Sequence, residues 1–82
     1  MTKQERKKLA EALQQAIEQA GGPVELARFI TDTYEPITKQ AISGWDICPP
    51  RRAVQVAAAV RARGGQTSAQ ELRPDMYEPM AA

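Results

Sequence analysis

The sequence predicts an all-α fold of four to five short helices, and three observations carry that prediction. Apolar residues recur at spacings of three and four. Glycine and proline pairs cut the chain into helix-length pieces. Good capping residues stand where those pieces begin.

The first helix is expected over roughly residues 4–20, where Leu9, Leu13, Ala16, Ile17 and Ala20 form one stripe. Gly21-Gly22 ends it, because glycine takes the left-handed conformation that follows a helix. Pro23 suits the first turn of a second helix, expected over about 23–31, with Val24, Leu26, Ala27 and Ile30 as its apolar side. The segment Thr31-Asp32-Thr33-Tyr34-Glu35-Pro36 is polar and ends in proline, so it reads as a loop.

Thr38 is a suitable N-cap for a third helix over about 39–45, with Ile37 and Ile42 at the staple positions around it. Ala41, Ile42 and Trp45 are expected to face inward and Lys39, Gln40 and Ser43 outward. Pro49-Pro50 breaks the chain and opens a fourth helix, about 50–63, ended by Gly64-Gly65. Val54, Ala57 and Ala58 make one strip on it, and Val56 with Val60 a second. In the C-terminal segment 66–82, Ser68 and Glu71 have capping-box spacing and predict one further helical turn. Met76 and Tyr77 beyond Pro74 are apolar anchors, and Ala81-Ala82 are expected to fray.

Eighty-two residues suffice for one small domain, residues 1–82. Of the hydrophobic residues, 14 are alanine and only 13 are leucine, isoleucine or valine. Such a core is thin for a domain of this size, and dimerisation is a common remedy. No apolar run is long enough to cross a bilayer, and the basic N-terminus lacks the apolar stretch of a signal peptide. A cytoplasmic protein without membrane association is expected. Cys48 is the only cysteine and histidine is absent, which argues against an internal disulfide, a metal site or a bound cofactor. With no glycine-rich phosphate loop or nucleophile motif either, enzymatic activity is not expected.

Net charge is only +1, but it is unevenly spread. Residues 1–8 carry four positive and one negative charge, and residues 38–63 carry five positive and one negative. Residues 9–37 carry one positive and five negative. The two basic segments either form one face for a polyanion or are ordinary solvated surface.

Two short helices joined by a turn, the second opening Thr38-Lys39-Gln40, make a helix-turn-helix over about residues 23–45. A recognition helix must bury one side and present donors and acceptors on the other. Gln40 can pair with adenine through two hydrogen bonds, Lys39 can reach a guanine edge or a phosphate, and Ser43 can contact either. The positive end of the helix favours phosphate, and Thr38 can donate its hydroxyl to one. Arg51 and Arg52 read either as phosphate clamps or as solvated residues at a helix start.

The chain resembles the Cro/YdaS-type family of phage repressors and antitoxin-like regulators. The resemblance is carried by Ala16-Ile17-Glu18-Gln19-Ala20-Gly21-Gly22 and Leu26-Ala27-Arg28, then by Ile37-Thr38-Lys39-Gln40-Ala41-Ile42-Ser43-Gly44-Trp45. Pro49-Pro50-Arg51-Arg52 and Glu71-Leu72-Arg73-Pro74-Asp75-Met76-Tyr77 complete it, over about residues 12–78. It implies a lambda-repressor-like helix-turn-helix domain that binds double-stranded operator DNA as a homodimer and represses transcription. It further implies that Thr38, Lys39, Gln40, Ser43 and Gly44 face the DNA. Two features depart from the family pattern. The stretch Thr31–Pro36 is longer than the family's short glycine turn, which leaves the angle between the second and third helices open. Pro23 stands where a phosphate-holding glutamine often does.

Other residues have blander readings. Trp45 is expected to be core or boundary packing, and Cys48 an inert thiol in a linker. Arg73 and Asp75 are expected to pair with each other or to pin the tail, and Glu18 and Glu25 to be solvated. The alternative function is a protein-interaction module of the same fold that binds a toxin, a polymerase or a replication protein. The acidic segment 9–37 and the apolar tail are its support.

Overall fold

A computed structural model describes residues 2–76, and these form five short helices with no strand among them. α1 spans Lys3–Gln19. Its N-cap is Thr2, whose Oγ1 accepts from the Glu5 N–H at 3.1 Å. Leu9, Leu13, Ala16 and Ile17 are its buried residues, the stripe that the spacing predicts. Gly21 follows in the left-handed region at φ +95°. The Gly21 N–H donates to the Glu18 carbonyl at 3.0 Å and the Gly22 N–H to Ile17 at 2.8 Å, which together form a Schellman cap.

α2 spans Pro23–Thr33 and buries Leu26, Ala27 and Ile30. It runs two residues beyond its expected end, so Thr31, Asp32 and Thr33 are helical rather than loop. The Thr31 hydroxyl explains the difference. It donates to the Ile37 carbonyl at 3.2 Å and accepts from the Ile37 N–H at 3.1 Å, so the connection is tied back onto the last turn of α2. The Ile30 carbonyl also accepts from both Tyr34 and Glu35 N–H groups. Pro36 then stops the helix, because the residue before proline disfavours the α region.

α3 is the five residues Lys39–Ser43. It ends two residues before its expected limit, with Gly44 as C-cap. Gly44 is a poor helix former, and leaving the helix there lets Trp45 lie half-buried against the core. Ile42 is fully buried, whereas Ala41, expected inward, is exposed. Neighbouring helical positions lie about 100° apart, so a five-residue helix seated on Ile42 turns Ala41 away.

α4 spans Pro50–Ala62 and is the centre of the molecule, packed against α1, α2 and α5. Its buried residues are Ala53, Gln55, Val56, Ala57, Ala59 and Val60. The expected strip of Val56 and Val60 is core, but of the one expected over Val54, Ala57 and Ala58 only Ala57 is buried. Val54 is 47% exposed and Ala58 half-buried, while Ala53 and Ala59 take core positions. α5, Ala69–Leu72, is capped by Ser68, whose Oγ accepts from the Glu71 N–H at 3.2 Å. Leu72 anchors it in the core. Arg73 and Asp75 pair, at 2.6 Å between Nη2 and Oδ2, and Arg73 also donates to the Cys48 carbonyl at 3.2 Å. The anchoring role expected of Tyr77, the fraying of Ala81-Ala82 and the rest of 77–82 lie outside the described residues. No described helix is long and apolar enough to cross a membrane.

α4 ends in a second Schellman cap, with Gly64 at φ +81° and the Gly65 N–H donating to the Val60 carbonyl at 2.9 Å. Gly65 is held there by close approach. A Cβ on it would stand 2.5 Å from Val60 Cγ1 and 2.8 Å from Gln19 Oε1. Val60 is fully buried and stiff, so it cannot yield. Gly65→Ala is expected to destabilise the protein by about 1–3 kcal/mol, as overpacking does. The measurement is a urea unfolding curve with unchanged slope and a lowered midpoint. An unshifted midpoint would mean that the 60–65 turn gives way freely.

Candidate nucleic-acid interface

The helix-turn-helix is assembled by three local devices. Ile42 seats α3 on the core at 1% exposure. Thr38 starts it, its Oγ1 accepting from the Ala41 N–H at 3.1 Å. The cap uses a lone pair of the hydroxyl, so the O–H proton is not spent. The Thr31–Ile37 clamp then fixes how the chain enters the cap. The added length of the connection relative to a short turn is thus partly absorbed into α2 and partly clamped.

With α3 so held, Thr38, Lys39, Gln40, Ser43 and Gly44 are all exposed. They share one small helix and its two caps. Lys39 and Gln40 occupy its first turn and Ser43 its end. Their donors and acceptors can serve base edges or phosphates, as the sequence suggests. Trp45 is half-buried against the core, as packing requires.

Arg51 and Arg52 sit at the start of α4, and the structure separates them. Both lie against Glu35, in the connection between α2 and α3. Arg51 Nη2 donates to both Glu35 carboxylate oxygens at 2.5 Å. Arg52 Nη1 is 3.6 Å from Glu35 Oε2 and donates to Gln55 Oε1 at 2.8 Å. Gln55 in turn donates to Glu35 Oε2 at 3.1 Å. The Arg51 side chain is 68% exposed and that of Arg52 only 15%. Arg51 can therefore reach a ligand in solution, whereas Arg52 is largely enclosed.

This network latches the turn before α3 onto α4, and its centre, Glu35, was not singled out in the sequence. Gln55 offered the one signal. It is a polar residue between Val54 and Val56 in an alanine- and valine-rich helix, and it is buried. A buried amide needs partners. The Arg51 hydrogen bond, then that of Gln55, holds the Glu35 carboxyl below its ordinary value, against the opposing effect of burial. The stability that this interaction contributes is therefore present above the ordinary carboxylate range and is lost as pH falls through the lowered value.

Further ion pairs tie other parts of the chain together. Arg6 on α1 meets Asp46, just past α3, at 2.6 Å. This contact brings the first turns of the basic N-terminal segment against the loop that leaves α3. Glu25 lies 3.4 Å from both Arg28 and Arg63, so it is an ion-pair centre rather than a simple solvated acid. Cys48 is fully buried in the core, not merely in a linker. Burial pushes its thiol up to about 12, opposed in part by Arg73.

Comparison with known proteins finds no matching family model, no similar curated protein and no similar solved structure.

The state of Cys48 gives a direct check on this core. Thiolate is the reactive form, and little of it exists at pH 8 for a thiol raised to about 12. An aromatic disulfide reagent at pH 8 is expected to label Cys48 only as fast as the protein unfolds, with full labelling in urea. Rapid labelling under native conditions would contradict the burial.

Proposed function

We propose that the protein is a sequence-specific DNA-binding transcriptional regulator, a Cro-like repressor that binds operator DNA as a homodimer. The observation that carries the reading is α3. It is a helix capped by Thr38 and seated by Ile42, with the polar side chains of Lys39, Gln40 and Ser43 outward beside the small Ala41. Arg51, exposed and tied to the turn that leads into α3, supports the same reading as a phosphate contact. In this reading Gln40 reads a base, Lys39 and Arg51 supply attraction to the backbone, and Thr38, Ser43 and Gly44 lie close to the duplex. Arg52 contributes through the network that positions Arg51.

The test is binding to the DNA upstream of the protein's own gene. Gln40→Ala is expected to weaken binding to the specific site by about 1–3 kcal/mol and to relax preference at one base position. Equal losses on the specific site and on random duplex would remove Gln40 from base reading.

The second reading, a protein-interaction module, is favoured by the half-exposed apolar residues Val24, Tyr34 and Val54. The first reading uses one of them differently. A single α3 spans few base pairs, and a two-fold dimer sets two such helices about 34 Å apart on one face of DNA. Val54 on α4, 47% exposed, is the residue proposed to meet its counterpart, with Met76, 58% exposed, as a further apolar group. Val54→Lys leaves the core untouched and is expected to convert a dimer to a monomer in light scattering at micromolar concentration. A wild-type protein that stays monomeric both free and on DNA would remove the dimer from the proposal.

A further inference from the structure

Glu35 poses a problem for a DNA-facing surface. It places a carboxylate three residues before the Thr38 cap and directly on Arg51. A carboxylate and a phosphate make the same demand of a guanidinium. Both are acceptor-only oxyanions that take charge-assisted hydrogen bonds. The Arg51 Nη2 group already donates to both Glu35 oxygens at 2.5 Å. A backbone phosphate taken by that group must therefore displace Glu35.

The partners of Glu35 differ in how easily they can leave. Arg52 and Gln55 are 15% and 9% exposed, bond each other at 2.8 Å and lie within the packed start of α4. They stay. The Arg51 side chain, 68% exposed, pairs with Glu35 at the protein surface. It can turn from carboxylate to phosphate while Gln55 and Arg52 keep Glu35 in place.

On the DNA-binding reading above, we propose that Glu35 is an internal competitor for the DNA backbone, holding Arg51 in the free protein and so lowering the affinity for any duplex. An exposed ion pair has modest strength, so the expected restraint on binding is about two- to fivefold. Salt screens the internal pair as it screens the pairing with phosphate, so the restraint fades as ionic strength rises.

The experiment compares wild type, Glu35→Gln, Arg51→Gln and the double variant on a random-sequence 20-base-pair duplex. Binding is followed from about 50 mM to 200 mM salt, the range over which phosphate contacts are strongly salt-dependent. Glutamine keeps the shape of Glu35 and an acceptor for Arg51 but removes the charge. Glu35→Gln is expected to bind the duplex about two- to fivefold more tightly at the low-salt end, the strength of one exposed pair. The gain is expected to shrink as salt rises and to vanish in the Arg51→Gln background. A merely structural role for Glu35 would not produce that dependence on Arg51. Equal or weaker binding by a folded Glu35→Gln protein overturns the proposal and leaves the DNA-binding reading standing. Failure of wild type and variant alike to bind any duplex at low salt overturns that reading and the proposal with it. A measurement on the unaltered protein covers the case in which Glu35→Gln does not fold. On titration with the duplex, the Arg51 side-chain N–H resonance and the Glu35 carboxyl carbon resonance are expected to shift together. A Glu35 carbon signal that stays in place at saturation overturns the proposal.

Discussion

The core of the described residues is built around a helix that is covered on several sides. α4 packs against α1, α2 and α5, and it can do so because its core positions are small: Ala53, Ala57 and Ala59 beside Val56 and Val60. Small side chains let neighbouring helices approach closely, and the larger groups come from those neighbours. Leu13, Leu26, Ile30 and Leu72 are bulky, fully buried side chains from these neighbours, and Ile42 joins the same core from α3, which packs on α2. A composition short of large aliphatics thus still closes one continuous core. Its tolerance is correspondingly low. Two helices end in the same glycine cap, and the second cap brings Gly65 against the buried Val60.

The surface around α3 inherits its order from this core. α3 is too short to hold itself, since isolated helices of its length are unstable in water. Ile42 supplies its packing, Thr38 its start, and the Thr31–Ile37 clamp its approach. The Glu35 network then joins the approach to α4 itself, so the turn that presents Lys39 and Gln40 is tied to the central helix. Charges in this arrangement have two duties. Arg52 and Gln55 serve the fold, and Arg51 stands at its edge, where a charge can serve both the fold and a ligand. On the proposed function, the latch that shapes the site also moderates it.

Some of this was legible in the sequence. The stripe from Leu9 to Ala20, the glycine pairs at 21–22 and 64–65, the prolines at 23 and 50 and the caps at Thr38 and Ser68 are local signals. Each acts within a turn or two of its own position, so residue spacing suffices to read it. The exposed set Thr38, Lys39, Gln40, Ser43 and Gly44 follows from the same logic, since a capped helix with one strong anchor can turn only one way. Where the reading failed, the deciding contact was also a short one, but it was made by a side chain whose composition argues the other way. Thr31-Asp32-Thr33 looks like loop, and is helix because a hydroxyl at 31 finds both backbone groups of Ile37. Ala41 looks apolar and so inward, and is exposed because Ile42 takes the only seat.

The sequence by itself determined the helices and their order, because caps, breakers and periodicity act over a few residues. Tertiary structure alone decided which face of α4 is core, that Cys48 lies at 0% exposure, and that Glu35 meets Arg51 and Gln55. The Glu35 contacts alone join residues 16 and 20 positions apart in the chain, and no local propensity ranks one distant partner over another. Close packing around one central helix makes that choice, since a side chain there pairs with whatever the neighbouring helix brings within reach.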